Sequence, residues 1–62
     1  MDVFEVLSAR ILDKANHLSE ATAAGNFDSF EEYKKTCGEI RGLLIARSYV
    51  LGLKQEMEQD DD

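Results

Sequence analysis

Sixty-two residues with a formal net charge of −6 allow one domain and only a marginal core of its own. A single cysteine, Cys37, excludes an intramolecular disulfide, and with a single histidine, His17, it leaves too few ligands for a structural zinc site. No window approaches the roughly 18 uninterrupted apolar residues of a membrane span, so stability is expected to come from helix packing, self-association or a protein partner.

The opening residues Met1-Asp2-Val3-Phe4-Glu5 carry neither a basic segment nor a long apolar one, unlike a signal peptide. A lone thiol without an export signal fits synthesis in the cytoplasm. Apolar residues then recur three or four apart at Phe4, Leu7, Ile11, Ala15, Leu18 and Ala21, with Val3 and Leu12 widening the stripe. This spacing predicts a first helix over about residues 3–24. Gly25-Asn26 supplies the stop, since glycine and asparagine tolerate the left-handed position after a helix end.

The turn occupies residues 25–28, with Phe27 expected to plug the end of a hairpin. Asp28 or Ser29 can cap the next helix, each with an acid three residues on, and Glu31 and Glu32 sit at the favourable end of its dipole. The second helix is expected over about residues 29–58, followed by an acidic disordered tail, 59–62. Phe30, Tyr33, Cys37, Ile40, Leu44 and Leu51 follow one of its faces, beside Leu43, Val50 and Met57.

Gly38 and Gly42, four apart and followed by Ala46, stand in the interior of this second helix. Glycine there costs about 0.8–1 kcal/mol relative to alanine. A backbone face smooth enough for close approach of another helix offsets that loss, a geometry familiar from small-xxx-small helix pairs. Ala15, Gly38, Gly42 and Ala46 are therefore the candidate helix-packing residues. Two partners remain open, the first helix of the same chain and a second chain.

Folding back at Asn26 sets Leu18 level with Lys34 and Lys35, Ala15 with Cys37 and Gly38, and Leu7 with Leu44 to Ala46. Phe4 then reaches only Ser48 to Tyr49. About two turns of the second helix are expected to project beyond the hairpin, carrying Val50, Leu51, Leu53 and Met57, and such a surface is not expected to stay wet. Ile45, Tyr49 and Leu53 form a further row that the first helix does not cover together with the Leu44/Leu51 row. The candidate interface is Ile45, Tyr49, Val50, Leu53 and Met57, with Tyr49 foremost because aromatics at interface centres carry much binding energy. Arg47, beside the apolar face, is either an interface arginine or a snorkelling one.

Charge is unevenly spread. Residues 33–55 hold Lys34, Lys35, Arg41, Arg47 and Lys54 against Glu39 alone, inside an otherwise acidic chain. Separated bases flanked by acids make a poor phosphate footprint, so no nucleic acid is expected as partner, and charge matching between helices or subunits is the simpler reading. Cys37 lies on the apolar stripe as a small buried thiol, and His17 is a boundary residue with no third group to orient it. Asp13 and Glu20 share a helix face that two helices cannot enclose, so they lack a site for acid–base work. No catalytic residue, metal, cofactor or small-molecule substrate is expected.

The stretch Phe30-Glu31-Glu32-Tyr33-Lys34-Lys35-Thr36-Cys37-Gly38-Glu39-Ile40-Arg41-Gly42-Leu43 resembles a pattern in short helical accessory proteins of tailed bacteriophages. There an aromatic and acidic start leads into Gly-x-Ile-x-Gly-Leu and further apolar residues, here Ala46, Val50, Leu51 and Leu53. The resemblance covers about half of the chain, and the first helix adds nothing to it. It implies a virion component or assembly factor bound in many copies to a ring or shell protein, with Gly38, Ile40, Gly42 and Leu43 as shared packing residues.

The fold expected is an all-α antiparallel two-helix hairpin with the longer helix second, assembled into a helical oligomer or bound to a larger protein. The function expected is that of a structural or assembly protein. The competing reading is a small acidic inhibitor or regulator that masks a basic surface of its partner.

Overall fold

The computed structural model describes residues 2–25 and 27–59. They form two helices, α1 (Val3–Ala24) and α2 (Phe30–Gln59), packed as an antiparallel hairpin with the longer helix second. The hairpin measures 52 × 19 × 12 Å along its principal axes, one helix layer thick. Asn26 of the turn and residues 60–62 of the expected acidic tail lie outside the described residues, while Gln59 closes α2.

Local chemistry accounts for the ends of the helices. Asp2 caps α1, its Oδ1 accepting from the Glu5 N–H at 2.8 Å. Gly25 ends α1 in the left-handed region (φ 72°, ψ 27°), and its N–H donates to the Thr22 carbonyl at 3.1 Å. Of the two candidate caps for α2, Ser29 is the one used. Its Oγ accepts from the Glu32 N–H at 3.1 Å, while the Glu32 carboxylate accepts from the Asp28 N–H at 3.2 Å. This reciprocal arrangement satisfies two backbone donors and orients the chain into the helix.

The seam between the helices is narrow. Only Ser8 and Ala15 are buried, at 6% and 2% exposure, so the side chains at the closest approach are small ones from α1. Phe4, Ile11, Leu18 and Thr22 flank them half-buried, a spacing of four and three residues that keeps one stripe of α1 on its partner. On α2 the half-buried positions Thr36, Ile40, Leu43, Arg47, Val50 and Lys54 repeat at the same interval.

Three expectations are corrected here. The stripe that α2 turns toward α1 is not the one through Phe30, Tyr33 and Leu44, which stay 65%, 42% and 44% exposed. α2 is apolar on more than one side, so periodicity alone leaves its rotation open. Secondly, the helices slide further along each other than a fold at Asn26 implies, because Lys54, not Ser48 or Tyr49, reaches the start of α1 at Asp2 and Glu5. The first turn of α2 extends past the end of α1 while Phe27 packs edge-on against Tyr33, with ring centroids 5.7 Å apart. The two-turn overhang is therefore absent. Val50 and Leu51 are half-buried along the hairpin, and Met57 lines a shallow cleft with Asp2, Phe4, Lys54 and Glu58.

The third correction concerns the glycines. A Cβ placed on Gly38 or Gly42 would meet nothing within 4 Å, so α1 makes no close crossing there. Both glycines lie on the far side of α2 from the seam, and the small residues that admit close approach are Ser8 and Ala15.

Candidate protein–protein interface

With 100° per residue, the side of α2 opposite the seam is the row Gly38, Gly42, Ile45, Tyr49 and Leu53. All five are exposed, the three large ones at 45%, 75% and 48%. Ala46 and Met57 border the row, Ala46 half-buried and Met57 52% exposed. Gly52 adds a third smooth point beside Tyr49, again with open space over its backbone. The result is a ridge formed by Ile45, Tyr49 and Leu53 with flat ground at Gly38 and Gly42. Among the candidate interface residues, Ile45, Tyr49 and Leu53 are brought onto one outward face. Val50 is turned to the α1 side, and Ala15 belongs to the seam.

A second apolar cluster occupies the turn end of the hairpin. Phe30 stacks on Tyr33 with centroids 6.1 Å apart, and the Lys34 ammonium lies 5.6 Å from the centroid of the Phe30 ring. The Cys37 thiol, one turn beyond Tyr33, holds that phenol above its ordinary range by accepting its hydrogen bond and by charge repulsion. Cys37 is half-buried and His17 exposed.

The basic residues do not form a patch. Lys54 is taken up at the open end by Glu5, Asp2 and Glu58, the last two at 3.5 and 3.9 Å. The direct bond to Glu5 is the main reason its ammonium is held above the ordinary lysine range. Arg47 lies along the seam, with its Nε enclosed and without a hydrogen-bond partner among the described residues. Lys34, Lys35 and Arg41 are spread over exposed positions of α2.

Residue-level reading of the sequence missed the Asp2 cap and the Lys54 cluster. The pattern Asp2-x-x-Glu5 just before an apolar run signals the first. The second joins positions far apart in the chain and has no local signature. Among the described residues there is no group of three or more His, Cys, Asp or Glu side chains placed to hold a metal ion, and no helix is long and apolar enough to cross a membrane. Compared with protein-family models, curated proteins and solved structures, the chain matches none.

Proposed function

We propose that this hairpin is a non-enzymatic structural or assembly module that associates through the outward apolar face of α2. One observation carries the reading. The fold leaves nine large apolar side chains between 42% and 75% exposed, while its buried residues are Ala15 and Ser8 alone among those described. An apolar surface of that extent on so small a body marks an interaction site. The glycine-flanked ridge of Ile45, Tyr49 and Leu53 is the part best shaped for a helix.

The finer form of this proposal is a virion-associated component of a tailed bacteriophage, present in many copies on a larger ring or shell protein. It is supported by the resemblance of residues 30–43 to such accessory proteins. The exposed row continues that segment through Ile45, Tyr49 and Leu53.

The test pairs solution mass across a wide concentration range with binding of an apolar fluorescent dye, with helicity followed by circular dichroism. The wild-type chain is expected either to gain mass with concentration, including at high salt, or to stay monomeric and bind dye. Tyr49→Ala combined with Leu53→Ala should abolish whichever signal is present while leaving helicity unchanged. A folded double variant that keeps the wild-type signal overturns the proposal, as does a wild-type monomer that binds no dye.

A further inference from the structure

We infer that the outward face of α2 pairs with the same face of a second copy, antiparallel, about a two-fold axis at Ile45 and Ala46. The inference rests on the proposed assembly role and names the occupant of that face.

Self-complementarity of the row carries it. With the two-fold axis between Ile45 and Ala46, Tyr49 of one copy stands level with Gly42 of the other. Leu53 stands level with Gly38, and Ile45 with Ala46. A large side chain thus meets a small one at each of these levels, in both directions. The side chains supply the knobs and the open backbones at Gly38 and Gly42 the holes; nothing lies within 4 Å of a Cβ built at either glycine. Tyr49, 75% exposed in the hairpin, finds a flat seat on Gly42 of the other copy. No other register or parallel pairing of the row sets these large residues against these small ones. A parallel pair, for example, would place Tyr49 on Tyr49 and leave both glycines facing glycine.

Charge selects the same direction. α2 carries Lys34 and Lys35 near its start, and Glu56 and Glu58 near its end. The antiparallel register sets Lys35 level with Glu56 of the other copy, on the same side of the helix as the apolar row. Glu58 falls beside Lys34. Parallel pairing would instead bring like charges together at both ends. Glu31, at the outer edge, falls beyond Gln59 of the other copy. The paired stretch from Gly38 to Leu53 is about four turns long, enough for a sustained helix–helix seam at roughly 1.5 Å per residue. The two hairpins then form a four-helix assembly with the α2 pair at its centre and α1 outside.

The register is tested in the full chain carrying Cys37→Ser. Ile45→Cys should give an oxidised cross-linked dimer in high yield, because the two copies of residue 45 meet at the axis. Leu53→Cys should not, because its two copies lie about 23 Å apart along the helices. Lys35→Glu alone or Glu56→Lys alone should weaken dimerisation about ten-fold, and the two together should restore it. Circular dichroism on each variant checks that the hairpin is folded. Efficient cross-linking at residue 53, or failure of the double reversal to rescue, overturns the antiparallel register while leaving the assembly role standing. A wild-type chain that remains monomeric at every concentration but binds apolar dye overturns self-pairing and assigns the face to a different protein. Mass that rises with concentration in folded Tyr49→Ala/Leu53→Ala as it does in wild type overturns the assembly role through this face as well.

Discussion

Lys54 donates a hydrogen bond directly to the Glu5 carboxylate, tying the far end of α2 to the first turn of α1. Asp2, the cap of α1, stands 3.5 Å from the same ammonium. One lysine therefore closes the open end of the hairpin and sets how far the two helices slide along each other.

The pH response of this end follows from its two shifted groups. The Glu5 N–H, and to a lesser degree Lys54, holds the Asp2 carboxyl below its ordinary 3.8, against an opposing contribution from desolvation. A depressed carboxylate stabilises the fold above that value and ceases to do so as pH falls through its lower folded value. Lys54 is raised above 10.5, so its contribution is complete below that pH and is lost as pH rises through the folded value. Lys54→Met should flatten the alkaline limb of thermal stability and leave most of the acid limb, since the backbone bond to Asp2 remains. Melting curves from below pH 3.8 to above pH 10.5 check this. An alkaline limb as steep as in the wild type would mean that the lysine does not close the hairpin.

Ala15 is 2% exposed at the closest approach of the helices. Ala15→Leu should force them apart and cost about 1–3 kcal/mol of folding stability, the usual penalty for overpacking. Ala23→Leu, at an exposed position of the same helix, should be close to neutral. Chemical denaturation of the two variants at one protein concentration separates the seam from general helix effects.

Arg47 places an enclosed Nε without a partner along an otherwise apolar seam. Arg47→Met keeps the length of the side chain and removes the unsatisfied donor, so it should stabilise the hairpin by about 1 kcal/mol. A raised melting temperature with unchanged solution mass is the expected result. A loss of association with unchanged folding would instead place Arg47 at the contact with the partner.

Gly42 separates folding from association. Its backbone faces open space in the hairpin, so Gly42→Ala should raise helix stability by up to about 1 kcal/mol. The added methyl should at the same time crowd the seat of Tyr49 from a second copy and weaken pairing, with overpacking worth about 1–3 kcal/mol. Denaturation under dilute conditions and mass at high concentration should therefore move in opposite directions. Stabilisation in both measurements would mean that nothing packs on Gly42.

Two helices and their antiparallel return were legible in the chain, because each is written in near neighbours. Three- and four-residue apolar spacing makes the helices, and Gly25 can take the left-handed position that ends α1. Ser29 with Glu32 offers a cap and its reciprocal acid within one turn. The lack of large buried side chains was also foreseeable from a length that leaves little interior. Rotation and register were not legible. α2 is apolar on several sides, so Ile40 and Leu43 turning inward while Leu44 and Tyr49 turn outward depends on which side meets Ser8 and Ala15. The slide of one helix along the other is held by Lys54 meeting Glu5 across 49 positions of sequence. Periodicity constrains neighbours within a turn or two, whereas these contacts exist only once both helices lie side by side. The folded hairpin therefore decided that Gly38 and Gly42 face away from α1: the small residues of α1 had already made the close approach on the other side of α2.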